Sequence, residues 1–565
     1  MSSPRPLTLA SALALAATLA LAATLAAGCG SSADNCASTR TCAPSGAGGA
    51  DAGGHAGAGG GSAGGSTGGA GGSDGGAGTG GDSAGADSGV CEPSKTPAED
   101  SCVVDEKYGV FVSPKGDDTL GDGSRAAPYA TLGKALTDAV TGARRVYACA
   151  DSGTFTEPTL TLDSSRDGEK LYGGFHCADW SYDTSLQTTL ESVNQVAIKV
   201  SGLTKGLHIE DFNLRARYAT VPGDSSVALW VDSSQSVTLT RVTLHARQGA
   251  DGKNGAVFPG FAKQGASGNP GADGTCTLTS IPPPNAGGAA VSTACGSSTS
   301  TGGKGGDGPT ATVTPGGNGA AGQPALGAGA GGHGQTSASW TCAASGSNGG
   351  GRAGANGSNG AKGAGATGKG TLDATGYHGS AGQSGKAGGI GQGAGGGGGA
   401  QDASVCDGYG HGSSGGSGGS GGCGGAGGPG GGGGGSSIAL LSVDSTVNLS
   451  GCTLQASSGG IGGKGATGQI GGAGGKPGAG GKFEAGKNGT NACAGGAGGK
   501  GGNGGAGGGG LGGHSLGVAY MGTKPTLDTA TTFQLASSPA LGGPGGGVST
   551  SNKGTDGLVM QVLGF

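Results

Sequence analysis

SSIALLSVDSTVNLSGCTLQAS, residues 436–457, decides how the chain is read. It echoes SSVALWVDSSQSVTLTRVTLHAR at 225–247 and returns more loosely as SLGVAYMGTKPTLDTATTFQLAS at 515–537. The first two copies open on Ser-Ser, an aliphatic residue, Ala and Leu, pass a turn, and then alternate. Val237 and Leu239 precede Val242 and Leu244; Val447 and Leu449 precede Cys452 and Leu454. Apolar residues at period two, in short runs bounded by turn residues, mark strands with one face buried. One such unit cannot bury its apolar face alone, so its recurrence predicts neighbouring rungs of a stacked repeat. Each copy ends in a glycine-rich tract. The chain therefore reads as stacked strands interrupted by long glycine-rich excursions.

Composition agrees with one modest core. Of 565 residues 145 are Gly, and only 12% are charged and 4% aromatic, against roughly 7% Gly and 25% charged in an ordinary soluble protein. Length alone would suggest several domains, but the apolar residues concentrate in a minor part of the chain. Net charge is −5 with no basic run, which argues against nucleic acid or anionic lipid as a partner.

At the amino terminus Arg5 precedes an apolar run at 7–27, then Gly28 and Cys29. A basic start, an apolar stretch and small residues before a cut describe a secretory signal. LAAGC at 25–29 also resembles the lipobox of bacterial lipoproteins, with Leu one place early. That resemblance implies a signal peptide at 1–28 and lipid on Cys29, anchoring the chain to the cell envelope, outer membrane or cell surface. Residues 29–90 form a Gly/Ala/Ser/Asp tract with only Cys36 and Cys42 inside the mature part. With so little side chain to bury, it cannot offset ~1–2 kcal/mol of backbone entropy per ordered residue, and it reads as a flexible tether.

Folded structure is expected from residue 91. In YGVFVSPKGDDTLGDGSRAAPYATLGKALTDAV, 108–140, a short alternating strand leads through a turn-rich loop to Leu132, Ala135, Leu136, Ala139 and Val140. That spacing is one face of a helix, which Thr131 is placed to cap. The order V-S-P-x-G-x-D, then G-S, then A-P-Y-x-T-L-x-x-A-L resembles the opening of bacterial right-handed parallel β-helix proteins of the pectate-lyase-like superfamily, in a family of unknown function. The resemblance implies a helix that plugs the first coil, where an open end would expose core and unpaired backbone. Strands are expected at 146–148, 160–162, 171–175, 197–200 and 207–214. The resulting architecture is an all-β, right-handed parallel β-helix. Its parts are a capped region at 91–247, a glycine-rich insertion at 248–435, a rung at 436–457, a second insertion at 458–514 and closing rungs at 515–565.

Within the insertions Gly holds every third position from 412 to 433, from 495 to 513, and from 376 to 391. Three residues per turn is the repeat of a polyproline-II-type helix. Collagen is excluded, because the triplets are short, often out of phase and almost free of Pro. Two readings remain: disordered coil, or a bundle of polyglycine-II helices with glycine edges inward and turns at the phase breaks. The glycine content also resembles the PGRS class, a compositional likeness that implies no activity.

Fourteen cysteines in an exported chain point to disulfides; setting Cys29 aside leaves an odd number. Tyr147-Ala-Cys-Ala-Asp151 recurs as Phe175-His-Cys-Ala-Asp179, an offset suited to one coil. Cys149 and Cys177 would then lie on neighbouring strands ~4.8 Å apart, within reach of a disulfide, and their bond is predicted. Cys91 with Cys102, Cys36 with Cys42, Cys276 with Cys295, and Cys452 with Cys493 are further candidates, as are Cys342, Cys406 and Cys423; connectivity cannot be read from spacing.

Catalytic signals are sparse. Asp151 and Asp179 could stack on one edge and, with Asp211 or Asp232, hold a cation of the kind polysaccharide-cleaving relatives use. The plainer account is that they cap turns at strand ends, since no Lys or Arg pattern accompanies them. The histidines are scattered without zinc spacing, and the triplets at 427–433 lack the Lys-Ser/Thr ending of a phosphate loop. LVMQVLGF at 558–565 reads as a closing rung and not as a membrane barrel strand. No cofactor is implied. The expected role is structural, adhesive or matrix-binding at the cell surface, with polysaccharide or extracellular matrix as partner. The alternatives are a β-helix polysaccharide lyase or hydrolase and, last, an ice- or polymer-surface binder. The last wants Thr-x-Thr on consecutive coils, and Thr159/Thr161 and Thr238/Thr240 are isolated.

Overall fold

Strand by strand, the chain visits three sheets in a fixed order. The first sheet stacks Gly109–Val112, Arg145–Cys149, Lys170–Phe175, Leu207–Glu210, Val237–Thr240, Val447–Ser450 and Thr526–Leu527. The second stacks Phe155–Glu157, Thr188–Ser192, Phe212–Arg215, Thr243–Ala246, Thr453–Ala456 and Thr532–Gln534. The third stacks Leu160–Leu162, Val196–Ser201, Ser226–Asp232, Ser437–Val443, Ser515–Met521 and Val559–Gly564. Neighbours within each sheet run parallel, so the molecule is a parallel β-helix. The structure is a computed structural model that describes residues 91–565 apart from 143–144, 281, 311–314, 402–405, 407–408 and 548–550. The expected signal peptide, Cys29, the tether, Cys36 and Cys42 lie outside the described residues.

Register follows the apolar pattern. Val237 stands beside Leu207 and Val447, Leu244 beside Leu214 and Leu454, and Leu440 beside Leu229 and Val518. A slip of one residue would turn each of these side chains to the other face. They fill a buried core that runs the length of the stack. The segments at 225, 436 and 515 are consecutive rungs of the third sheet, joined by Ser226–Ser437 and Ser437–Ser515.

One expected strand divides. Residues 207–214 form two strands, because Asp211 adopts φ +56° and turns the chain from the first sheet to the second. Arg241 (φ +52°) and Gly451 (φ +59°) make the same corner on the next rungs. The signal is a slip in phase: Ile209 and Phe212 both face inward, as do Leu239 and Val242.

The helix Leu132–Gly142 closes the amino-terminal end, with Leu132, Ala135, Leu136 and Ala139 in the core. Thr131 Oγ1 accepts from the Lys134 amide at 3.2 Å. The bond to the Thr131 amide that a capping-box residue at 134 would make comes from Asp118 Oδ1, at 3.0 Å, and a second carboxylate comes from the first full coil. Glu157 accepts from the Leu132 and Gly133 amides at 2.7 and 3.0 Å, placing an acid at the positive end of the helix.

The glycine tracts are ordered. Each leaves after the second sheet and returns to the third, at 247–436, 457–514 and 535–558, so all start from the same corner of successive rungs. The ladder therefore continues outward without a break: Gly249 donates to Ser458 O, Gly252 to Ile461 O and Gly255 to Lys464 O. The third tract, which the sequence places among closing rungs, joins them through Gly543 N to Gly510 O at 2.8 Å.

At the centre lies the run from 412 to 435. Consecutive amides of Gly415, Gly416 and Ser417 donate to Gly306, Cys493 and Asn269, three different segments, at 2.8–3.0 Å. Their carbonyls accept from Gly288, Gly397 and Gly478. Three residues per turn sends successive amides in three directions, so the amide and carbonyl of each of these three residues are paired. Pairing is parallel with 493–511 and antiparallel with 250–272. Two positions of each triplet admit no Cβ: on Gly415 it would overlap the Gly397 carbonyl oxygen, and on Gly416 that of Gly478. The third position carries side chains with a task. Ser414, Ser417 and Ser420 Oγ accept from the amides of Ala272, Asn269 and Ala266, each at 2.8 Å. Asp251, Asn254 and Asn356 do the same for Ile461, Lys464 and Lys500 at 2.7–2.8 Å.

Disulfides join Cys91 to Cys102, Cys149 to Cys177, Cys276 to Cys406, Cys295 to Cys423 and Cys342 to Cys493. The candidate pairs Cys276–Cys295 and Cys452–Cys493 are corrected. Cys276 and Cys295 sit on different segments of the bundle, and each meets a partner brought in by the chain that ends in the run 412–435. Cys452 is a free, fully buried thiol of the β-helix core, and burial pushes its pKa up to about 11.

Candidate functional site

The three outer faces of the β-helix differ. On the third sheet the outer face is apolar, and the hairpin Thr371–Asp373/Gly376–His378 from the first insertion covers it. Leu372 and Tyr377 pack there on Val227, Ile438, Leu441 and Leu516. On the first sheet, aromatic residues cover the amino-terminal rungs: Phe111, Tyr147, Tyr172, Phe175 and Trp180 cluster with Val104. The second sheet is open. Its outward positions form two columns read from the register. One is Thr189, Asn213, Thr243, Thr453 and Thr532; the other is Thr156, Glu191, Arg215, His245, Gln455 and Gln534. None of these is buried. Hydroxyl and amide groups thus recur on neighbouring rungs along a flat face.

Asp151 and Asp179 lie near one another but serve separate turns. Asp151 Oδ1 accepts from the Cys177 amide at 2.8 Å, and Oδ2 meets His176 Nδ1 at 2.9 Å. The backbone bond, with His176 second, holds the Asp151 carboxyl below its ordinary range, and that pair raises the His176 pKa. Asp179 Oδ1 accepts from the amide and hydroxyl of Ser181 at 2.9 and 2.7 Å. Asp211 and Asp232 do not join them. Among the described residues the one acidic or thiol group with metal-ligand proximity is Cys91, Asp100 and Cys102; its sulfurs are bonded to each other and offer no thiolate.

A cluster at the first corner went unread in the sequence. Asp211, fully buried, takes Arg241 Nε at 2.7 Å and Nη2 at 2.9 Å, and accepts from the Tyr182 hydroxyl. Glu210, 2% exposed, accepts from Arg241 as well and pairs with His208 Nε2 at 2.8 Å. Burial works on both acids. It raises the Asp211 pKa, while His208 and Arg241 bring Glu210 below its usual value. Removing one member of such a buried set leaves an uncompensated charge. These carboxylates are enclosed and fully bonded, so they hold the corner. Asp211 and Arg241 are corner residues of successive rungs, a repetition that marks them as stacked.

No family model matches the chain, and no curated protein does. Among solved structures a match is the pectin methylesterase of Aspergillus niger in deglycosylated form, at 19% identity and a TM-score of 0.16. It covers 24% of this chain and 48% of that enzyme, so the chain spans about half the length of the protein it matches.

Proposed function

We propose that this chain is an exported, non-catalytic surface protein, held to the cell envelope by lipid on Cys29, whose β-helix presents a polar face to extracellular matrix or polysaccharide. The observation that carries the reading is the second sheet. Its Thr, Asn and Gln side chains recur once per rung, ~4.8 Å apart, and can bond repeatedly to an extended polymer. Regular spacing of that kind orients a ligand. The adjacent acids Glu210 and Asp211 are committed to Arg241, Tyr182 and His208. The disulfides suit an oxidising compartment.

A glycan array paired with turnover assays on polyuronates and methyl-esterified polyuronates tests the reading. Retention without release of unsaturated sugar, new reducing ends or methanol is expected. Release of any of these would move the protein into the enzyme class. Acyl-chain labelling of cells tests the anchor: Cys29→Ala should take up no label and should leave the membrane fraction.

A further inference from the structure

We infer that a groove at the edge of the second sheet, between Tyr218 and the stacked pair Arg217 and Arg247, binds an extended anionic polysaccharide. Such a ligand presupposes the adhesive role proposed above and adds its charge and its place. The groove, about 830 Å³, lies where the second sheet meets the foot of the bundle, and its lining includes Glu191, Arg217, Tyr218, Arg247 and Ser458.

Arg217 and Arg247 follow the strands Phe212–Arg215 and Thr243–Ala246 on adjacent rungs. His245 stands in register with Arg215, and the chains stay paired beyond the strands through Ala216 N to His245 O and Ala219 N to Gln248 O, both 3.0 Å. The two arginines therefore follow the rung spacing of ~4.8 Å. Both are exposed. Ser457 N to Ala246 O, 3.2 Å, carries the pairing to the next rung, where Ser457 and Ser458 add hydroxyls. Tyr218 is 52% exposed, and the Arg217 guanidinium lies 5.2 Å from its ring centre.

Folding accounts for this arrangement only in small part: the Arg217 guanidinium donates to Val193 O and to the Tyr218 hydroxyl, each at 3.5 Å. Like charges opposite one another on neighbouring strands are destabilising, and among the described residues no carboxylate forms an ion pair with either arginine. Glu191 is the one acid of the groove's lining, against Arg217 and Arg247, which leaves a surplus of positive charge. That surplus sits on a chain of net charge −5. Its field is felt nearby: after burial, Arg247 and then Arg215 push the His245 pKa down.

Guanidinium groups bind carboxylate or sulfate through paired N–H donors. An exposed tyrosine offers a flat apolar face with a polar tip, fitted to the C–H face of a sugar ring. Rung spacing close to the length of one sugar residue lets successive anionic groups meet successive arginines, while the Thr and Gln columns beside them meet hydroxyls. A nucleic acid would call for a broader basic patch than these two arginines make.

The full chain should be titrated with heparin-type sulfated polysaccharide, alginate, neutral dextran and single-stranded DNA, and assayed for retention on extracellular matrix. Binding to at least one of the two anionic glycans is expected, and which one identifies the anionic group. It should be lost by about 0.5 M salt, where charges are screened within a few ångströms. Arg217→Gln with Arg247→Gln should weaken it at least about tenfold, and Tyr218→Ala several-fold, as anchor residues do. Both variants alter exposed side chains and should melt no lower than the wild type. Equal binding of dextran, tighter binding of DNA, or undiminished glycan binding by the arginine variant would overturn the groove assignment. If matrix retention persists in that variant at wild-type strength, the adhesive role stands without this site. If the wild type binds neither glycan nor matrix, both proposals fall.

Discussion

In the β-helix, Leu214, Leu244 and Leu454 point inward from successive rungs, and their side chains exclude water. In the bundle, Gly415, Gly418 and Gly421 let backbones approach until no side chain fits, and their amides donate to Gly306 O, Gly303 O and Ser300 Oγ. The first region is held by apolar area, the second by dense backbone pairing and tight approach. They are continuous because the excursions begin as stacked rungs, so the β-helix supplies the register that isolated glycine tracts could not find. Glycine loses more backbone freedom on ordering than any other residue, and that cost is met only where many tracts are aligned at once.

The largest separation between the regions should come from the cross-links. Cys276–Cys406, Cys295–Cys423 and Cys342–Cys493 close loops of 130, 128 and 151 residues within the bundle, each worth ~2–5 kcal/mol by restricting the unfolded chain. Replacing Cys406, Cys423 and Cys342 with Ser should split thermal unfolding into an early bundle step and a later β-helix step. A single unshifted transition would contradict this.

Alanine should harm both regions for opposite reasons. Leu244→Ala leaves a cavity and should cost ~2–5 kcal/mol. Gly418→Ala would gain ~0.4–1 kcal/mol from a stiffer unfolded chain if the site had room. Its Cβ meets the Ala394 carbonyl oxygen instead, and overpacking costs ~1–3 kcal/mol or more. Chemical denaturation should therefore find both variants destabilised.

A smaller effect belongs to the third triplet position. Ser417→Ala removes the acceptor for the Asn269 amide and should cost about 1 kcal/mol, read as faster exchange of that amide.

The junction should respond to pH. Burial lowers the His514 pKa from 6.5; its Nδ1 accepts from the Leu558 amide at 2.8 Å and its Nε2 lies 2.8 Å from Lys369 O. Below pH 6.5 the unfolded chain takes up a proton that the folded histidine resists, so stability should fall as pH drops from that value toward the lowered folded pKa. His514→Gln should lose this part of the acid dependence in melting curves between pH 7.5 and 5.

What the sequence reveals follows the same division. Rungs are legible because side chains fill their core: Val237 and Val447 occupy equivalent places in two visible copies and stack in register. The corner at Asp211 is harder to see, since a single left-handed residue shifts the phase without a glycine to mark it. In the bundle, triplet spacing suggests the helix type but cannot separate order from disorder. The deciding residues are Ser417, Asp251 and Asn254, whose purpose appears only once the neighbouring amides are in place. Disulfide partners such as Cys276 and Cys406 depend on the path of the long insertion. Asp151 and Asp179 stand out as acids in an echo, whereas the groove pair Arg217 and Arg247 looks unremarkable until the rungs are stacked.

Amide hydrogen exchange across 412–433 tests most directly whether the tracts are an ordered lateral extension of the β-helix. Protection comparable to that of Ser437–Val443 is predicted for Gly415, Ser417 and Gly418. Exchange of those amides at the random-coil rate, beside a protected β-helix, would contradict it.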